Sequence, residues 1–512
     1  MTSFPDSSNA SPSVWDVVVV GAGLCGLTAA WRLHQQGLKV CVLEAAGRVG
    51  GCIGTVRSQE GYLIETGPHT FPGSAKELIR LCEALKISPQ AASSSNKKRY
   101  IRHKGMLHAV PINPMSLLAS PLLSAKGKLR LLLEPFQPKT PSLPEPTVAD
   151  FIQRRLGHEV LQRMVGPFLS GVYAGNPEAL SAAAVFKKLF EWEQTHGSLT
   201  AGFVQRLLSR QQQQPTQTAG QAFPPATPSG KATQLFGFVQ GLGQLTEALH
   251  QALPQGTVHC NTPVVQITRS AAKEQQAPTE KPTEQFNAPP GFCLSIASAT
   301  SSNAPAEILP PLHARQVILA LPAFAAAALL QELSPNASQA LQSIPYVPVS
   351  VVHLGFLATA LQHPLDGFGC LLPREENIPL LGSIWASSLF PNRAPEGQVL
   401  LSNFMGGAFH PELALTDDAK LVEQTCQDLQ AVFQLPKAPQ PDFECITRYQ
   451  QAIPQYNLGH LHRVARIENA LSADCPGLYL AGNYLHGIAL NACVVQAQYA
   501  AEQAIKQKTS TY

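Results

Sequence analysis

VWDVVVVGAGLCGLTAAWRLHQQGLKVCVLEAAGRVGG, Val14 to Gly51, decides how the rest of this 512-residue chain is read. The apolar run Val17 to Val20 has the look of a strand buried on both faces. From Leu24 onward the apolar positions fall at helical spacing, with Ala29, Ala30 and Leu33 on one face. A second strand follows at Val40 to Leu43. Strand, glycine turn, helix and strand form one parallel unit.

The turn carries Gly21-x-Gly23-x-x-Gly26. The first glycine permits the tight turn, the second lets a pyrophosphate approach the backbone, and the third lets helix and strand pack closely. The helix N-terminus then faces the anion. Ala22, Leu24 and Cys25 fill the positions between and belong to the same phosphate-facing backbone. Glu44 ends the second strand twenty-three residues after Gly21, where a carboxylate reaches ribose hydroxyls. Arg48-Val49-Gly50-Gly51 then adds a second glycine turn with a cation, for which a plain nicotinamide dehydrogenase has no need.

The stretch E-A-x-x-R-x-G-G, Glu44 to Gly51, resembles the FAD-binding oxidases of the amine oxidase and phytoene desaturase superfamily. That resemblance implies non-covalent FAD and an α/β chain with α+β elements: a Rossmann-like FAD domain assembled from both termini, an inserted mixed-sheet substrate domain and a helical membrane-associating region. Gly477 to Asn483 reads as a strand ending in glycine, and Gly487 to Ile505 as a helix whose positive end would face the isoalloxazine ring.

Composition narrows the alternatives. With 45% hydrophobic residues the chain can bury more than one core, and a net charge of +3 gives no nucleic-acid footprint. Eleven cysteines show no C-x-x-C or paired metal-ligand spacing, so neither a disulfide nor a metal is expected. The opening MTSFPDSSNASPS has no Lys or Arg and no apolar core, which fits neither a signal nor a transit peptide. Val317 to Leu330 is the longest apolar run, is broken by Pro322, and falls short of a bilayer span.

The expected organisation is a disordered tail over 1–13, FAD-binding parts over 14–95, 236–320 and 456–512, a helical substrate and membrane-associating region over 96–235, and a substrate-binding region over 321–455. Ser209 to Thr233 is Gln- and Pro-rich and reads as a loop. Two similar tracts, Ala271 to Gly291 and Ser298 to Pro311, flank strand-like runs at Val258 to Thr268 and Phe292 to Ile296.

Five further motifs, ETGPHTF (Glu65 to Phe71), PFLSGVYAGNP (Pro167 to Pro177), SSLFPNRAP (Ser387 to Pro395), QAIPQY (Gln451 to Tyr456) and GNY (Gly482 to Tyr484), resemble in order and spacing the oxygen-dependent protoporphyrinogen oxidases, most of all cyanobacterial and plant members. The resemblance implies six-electron oxidation of protoporphyrinogen IX by FAD and dioxygen, giving hydrogen peroxide, with no conventional catalytic residue. It implies FAD contacts at Gly21 to Gly26, Glu44, Arg48, Gly51, Cys52, Gly67, Pro68, His69, Thr70, Val264, Asn483, Ile488, Ala489 and Leu490. Substrate contacts are implied at Arg99, Leu354, Gly369 and Phe390, with Arg99 the partner of a propionate. Where plant-like members commonly have Asn, this chain has His69, which either faces the flavin or satisfies a local hydrogen bond.

The stretch Pro114 to Leu133 interleaves leucines with Lys126, Lys128 and Arg130, a pattern suited to a membrane interface or to a helix on the protein's own core. With the resemblance, it implies peripheral association with a cytoplasmic or thylakoid membrane face. The same resemblance offers a homodimer and product hand-off to a chelatase as partnerships. Alternatives are a coproporphyrinogen III oxidase, another desaturase or amine oxidase of this fold, and a non-enzymatic FAD-fold escort.

Overall fold

The computed structural model describes residues 14–93, 98–111, 114–139, 145–212, 234–270, 291–298 and 307–509. The expected tail, residues 213–233 of the Gln/Pro-rich loop and the tract 271–290 lie outside them.

Four consecutive β-branched valines favour extended backbone, and Trp15–Val20 forms the central strand with all four buried. It pairs in parallel with Val40–Leu43 on one side and with the second half of Glu307–Leu319 on the other. Val258–His259 extends one edge in parallel, and Leu478–Leu480 joins Val317–Leu319 in parallel. The first half of Glu307–Leu319 leaves this layer to pair antiparallel with Gly291–Ser298, which pairs with Val264–Ser270. Early, middle and late segments thus complete one sheet, the Rossmann-like domain built from both termini.

Strand alternation assigns its two faces. Val17 and Val19 pack with helices Leu24–Gln35 and Leu490–Thr509. Val18 and Val20 pack with helices Ala323–Leu330, Pro335–Gln342 and His460–Asp474.

The second sheet runs Phe443–Pro454, Tyr346–Leu357, Gln398–Gly406, Gly382–Trp385, Gly367–Leu371, Lys98–His103, Met106–Ala109. Only the contact between Gly367–Leu371 and Lys98–His103 is parallel. One face, with Val352, Leu354, Phe356, Trp385 and Leu401, packs on helix Asp418–Phe433. The other face carries His353 and Ser402.

A helical layer occupies most of 114–212. Its centre holds a fully buried Arg155, which pairs with Glu134, and Glu134 also accepts from Leu199 N at 2.9 Å, Thr200 N at 3.1 Å and Thr200 Oγ1 at 2.7 Å. Partners on every side let this buried carboxylate remain charged.

Several boundaries differ from the sequence expectations. Helix Leu199–Gln212 continues through Ser209, where a loop was expected. Glu307 to Pro311 belong to a strand, because the prolines fall beside a register irregularity at Leu294/Ile296, where a ladder donor is dispensable. The helices at 323–330 and 335–342 cover the nucleotide sheet, so the second sheet begins at Tyr346 and not at 321. Residues 98–109 form the last two strands at one end of that sheet and are not part of the helical layer. The last helix starts at Leu490, three residues after Gly487, whose φ is +143°.

Candidate active site

The three glycines of the first turn are required for different reasons. Gly21 has φ +102°, and a Cβ there would sit 2.5 Å from Ala320 O. A Cβ on Gly26 would lie 1.8 Å from Gly21 O. Both are dictated by the protein's own packing. Gly23 is not, since the nearest atom to a Cβ there is Gly51 Cα, at 4.0 Å. Gly23 and Gly51 lie side by side and form the floor of a Cβ-free groove at the start of helix Leu24–Gln35, which has no side-chain cap. Its free first-turn N–H groups and Cβ-free floor fit a dinucleotide pyrophosphate.

Arg48 holds the far wall, donating to Val49 O, Ile53 O and Gly51 O at 3.1, 3.1 and 2.8 Å. Glu44 accepts from Ala22 N at 2.7 Å and Ala46 N at 2.8 Å, with a lone pair left on each oxygen for ribose hydroxyls. Cys52 is exposed at the rim, and Gly67 packs so tightly under it that a Cβ would sit 2.3 Å from Cys52 O. Pro68 and Thr70 flank His69, both half-buried. Leu24 and Cys25 turn their side chains into the core and offer only backbone to the groove. Val264 starts a strand just beyond Thr262, whose N–H donates to Glu44 O at 2.8 Å.

At the other end, buried Tyr456 donates its hydroxyl to Asn483 O at 2.5 Å and accepts from Gly487 N at 2.8 Å. The ring stacks on His460 with centroids 3.9 Å apart. Next to it, Gln455 donates to Tyr173 O at 2.9 Å. The QAIPQY motif so lashes the Asn483 to Leu490 approach to the PFLSGVYAGNP helix. Ile488 and Leu490 are half-buried there and Ala489 is exposed.

A small cavity is lined by Glu65, His69, Ile384, Phe390, Arg393 and Ser402, among others. Arg393 and Glu65 form a buried ion pair at 3.1 Å, each 3% exposed. Glu65 also accepts from Thr55 Oγ1 at 2.7 Å and Leu242 N at 3.0 Å, and Arg393 donates to Phe238 O at 3.1 Å. Burial raises the Glu65 carboxyl and lowers the Arg393 guanidinium, each opposed by the other's charge. His69 donates from Nδ1 to Gly67 O at 3.0 Å, and its Nε2 is buried without a partner. Burial, reinforced by Arg393, pulls its pKa down to about 4. Phe390 lies so close to Gly237 that a Cβ there would sit 2.8 Å from the ring.

The expected substrate set is not all in one place. Phe390 lines this cavity, and Gly369 pairs with Ile384 at its edge, with φ +146° and no room for a Cβ. Leu354 lies on the opposite face of the second sheet, fully buried against Val352, Phe356 and Trp385, because strand alternation turns His353 inward instead. Arg99 is exposed on Lys98–His103, the strand next to the sheet's edge, 6.0 Å over the Phe368 ring. Its neighbours Lys98 and Arg102 are committed to Asp366 and Glu376, whereas Arg99 has no carboxylate partner among the described residues.

Glu65, Arg393, His353 and Tyr456 had no assigned role in the sequence. Arg393 carries a readable signal, a lone cation between prolines in an apolar stretch, and His353 is a lone imidazole in the strand VSVVHLGFL. A second cavity, bounded by Gln162, Asn176, Glu178 and Arg374, shares no lining residue with the groove or the His69 cavity. His103, Glu375 and Glu376 have metal-ligand proximity, but Arg102 and Arg163 already neutralise the carboxylates.

Residues 24–505 match the family described as flavin containing amine oxidoreductase. The chloroplastic protoporphyrinogen oxidase of Oryza sativa subsp. japonica is 34% identical over 501 residues, covering 95% of this chain and 88% of that protein. The coproporphyrinogen III oxidase of Bacillus subtilis (strain 168) is 27% identical over 503 residues, covering 96% and 97%. A crystal structure from Exiguobacterium sp. 255-15, named provisionally as a protoporphyrinogen oxidase, superposes with a TM-score of 0.74 at 23% identity, covering 97% of this chain and all of that one.

Proposed function

The chain belongs to the flavin-containing amine oxidoreductases, and from that premise we propose that it oxidises protoporphyrinogen IX to protoporphyrin IX, with dioxygen as the final acceptor. It is an FAD-dependent oxidoreductase. When bound, FAD supplies the hydride acceptor and the route to dioxygen, three turns giving one porphyrin and three hydrogen peroxides.

The chain's own residues bind and orient. Gly23, Gly51 and the start of helix Leu24–Gln35 hold the pyrophosphate, and Glu44 the ribose. Phe390 supplies an apolar wall. The observation that carries the substrate reading is Arg99, a guanidinium with no carboxylate partner among the described residues, between two paired cations on the next-to-last strand of the sheet that carries His353. It suits a propionate and presents a planar fork to it. The His69 cavity offers no unpaired cation among its described lining residues, which favours a substrate with few carboxylates over coproporphyrinogen III.

Purified chain should show a flavin spectrum and generate porphyrin fluorescence from protoporphyrinogen IX faster than from coproporphyrinogen III. Equal or reversed rates would refute the substrate assignment, and no turnover of either would refute the function.

Membrane association belongs to the same proposal. No helix among the described residues is long and apolar enough to cross a bilayer. Within Pro114 to Leu133, Leu122 and Leu123 are buried in the protein itself and do not face outward. Met115, Leu132 and Phe136, at 77%, 66% and 81% exposed, form the outward apolar set, with Leu129 and Lys126 beside them. They suit an interface with apolar side chains down and cations toward headgroups. The homodimer, the hand-off to a chelatase and the cytoplasmic or thylakoid membrane face are proposals drawn from the family resemblance.

A further inference from the structure

We infer that His69 distinguishes substrate from product, by presenting a bare imidazole nitrogen that a pyrrole N–H can satisfy and a bare porphyrin nitrogen cannot. The inference rests on the porphyrinogen reading above and names what one residue of that site recognises.

The ring's hydrogen-bonding polarity is fixed by its partners. A carbonyl oxygen cannot donate, so the 3.0 Å contact with Gly67 O places the proton on Nδ1. The carbonyl is itself held in place. Thr66 N donates to Gly54 O at 2.8 Å, Thr66 Oγ1 donates to Cys52 O at 3.2 Å, and Gly67 admits no side chain. Nε2 is left as an acceptor, on a side chain 7% exposed that lines the cavity, with no donor in reach. A buried acceptor without a donor is costly in an empty fold and becomes useful when a ligand brings the donor.

The surroundings keep it an acceptor. The titratable groups facing it are Arg393, Glu65 and His353. Arg393 is paired with Glu65, and its positive charge opposes protonation of His69. His353, with ring centroid 6.1 Å away, bonds through Nδ1 to Ser402 Oγ at 3.0 Å, and burial holds it neutral with a pKa of about 3. Phe404 meets the His69 ring edge-on at 5.6 Å and fixes its orientation. A neutral acceptor therefore persists as pH falls until it nears the lowered value of about 4.

The two ligands differ at this point. A porphyrinogen is puckered at its saturated meso carbons and carries an N–H on all four pyrroles, so any ring turned toward Nε2 offers a donor. A porphyrin is flat, keeps two N–H groups directed into its own centre, and has two bare nitrogens whose lone pairs repel that of Nε2. Oxidation would thus convert a hydrogen bond into an unsatisfied contact and loosen the product.

The test uses FAD-loaded protein with His69→Leu and His69→Gln, reading KM for protoporphyrinogen IX and Ki for protoporphyrin IX. The ratio Ki/KM should fall roughly fivefold to tenfold in His69→Leu, the worth of one buried hydrogen bond, and His69→Gln should keep most of it through its carboxamide oxygen. An unchanged ratio in His69→Leu, or equal losses in both variants, overturns the role. Should the variants lose flavin, histidine-¹⁵N NMR of the parent decides. In reduced, anaerobic holoenzyme the His69 Nε2 resonance should shift on adding porphyrinogen and not on adding porphyrin. A resonance that responds only to loading FAD overturns the inference. A parent active on porphyrinogen with no change in the ratio refutes His69 alone, whereas a parent inactive on both porphyrinogens removes the function and this inference with it.

Discussion

Arg393→Met should be the most instructive substitution in the buried cavity. It removes the cation and leaves Glu65, 3% exposed, facing only Thr55 Oγ1 and Leu242 N. Breaking a buried pair by deleting one partner costs about 3–5 kcal/mol, because the surviving charge is neither solvated nor matched. For 512 residues unfolding together, the unfolding entropy is about 1 kcal/mol per degree, so the melting temperature should fall by roughly 3–5 °C. The pH dependence has a definite sign. Burial already raises the Glu65 carboxyl, and losing Arg393 raises it further, so the folded variant binds that proton more tightly than the unfolded chain. Its deficit should be full at high pH and shrink as pH falls through the raised folded-state value. Arg393→Met with Glu65→Gln, keeping the acceptor and dropping the charge, should recover most of the loss at pH 7.5. Differential scanning of holo-protein at pH 7.5 and 5.5 reads all three effects. A deficit under about 1 °C, a double variant no better than the single, or no dependence on pH would each refute the reasoning.

Gly23→Val should fold and purify colourless, since a side chain there meets only Gly51 Cα at 4.0 Å but fills the phosphate position; a yellow, FAD-loaded protein would contradict the groove. Arg99→Ala should lose roughly ten- to a hundredfold in kcat/KM on protoporphyrinogen IX with flavin spectrum and melting temperature unchanged, and Arg99→Lys should regain only part; parent-like kinetics would move the carboxylate anchor elsewhere. Leu132→Ser with Phe136→Ser should release the protein from anionic liposomes while activity in detergent persists, and unchanged co-sedimentation would defeat the interface proposal. Asp428, buried and raised to about 6 by desolvation, holds its proton more tightly folded than unfolded, so stability falls as pH rises from about 4 to 6. Asp428→Asn should therefore gain about 1–3 kcal/mol at pH 8, where the charge is fully present, and nothing at pH 4; a thermal melt showing no gain at pH 8 would rule this out.

The nucleotide half of the fold was legible because its rules are local. Four valines, three glycines at fixed spacing and an acid at the next strand end each act within a few residues. The second sheet was harder to read, since its strand Lys98–His103 pairs with Gly367–Leu371, and no local pattern announces a partner so far along the chain. Leu354 shows the same difficulty at one residue. Its neighbour His353 lies on the face that carries His69 and Ser402, and a shift of one position in a strand exchanges core for site. The Glu65–Arg393 pair was invisible for the same reason, though each residue sat inside a quoted motif. Helix Leu199–Gln212 overran an expected loop because Gln and Arg are good helix formers, and a polar composition does not by itself end a helix.

The central sheet has a consequence for synthesis. Trp15–Val20 and Val317–Leu319 are neighbours, and Leu478–Leu480 closes the far side. At about 5–20 residues per second, a nascent first strand waits on the order of 20–90 s before the last one leaves the ribosome. During that interval the valine strand and the edge of Val317–Leu319 have no complete shelter. Helix Leu490–Thr509, which covers one face and carries Cys493 against Cys25, arrives last of all. The flavin site is therefore completed only after translation ends, and a chain cut short before residue 478 would expose an unpaired parallel edge to aggregation.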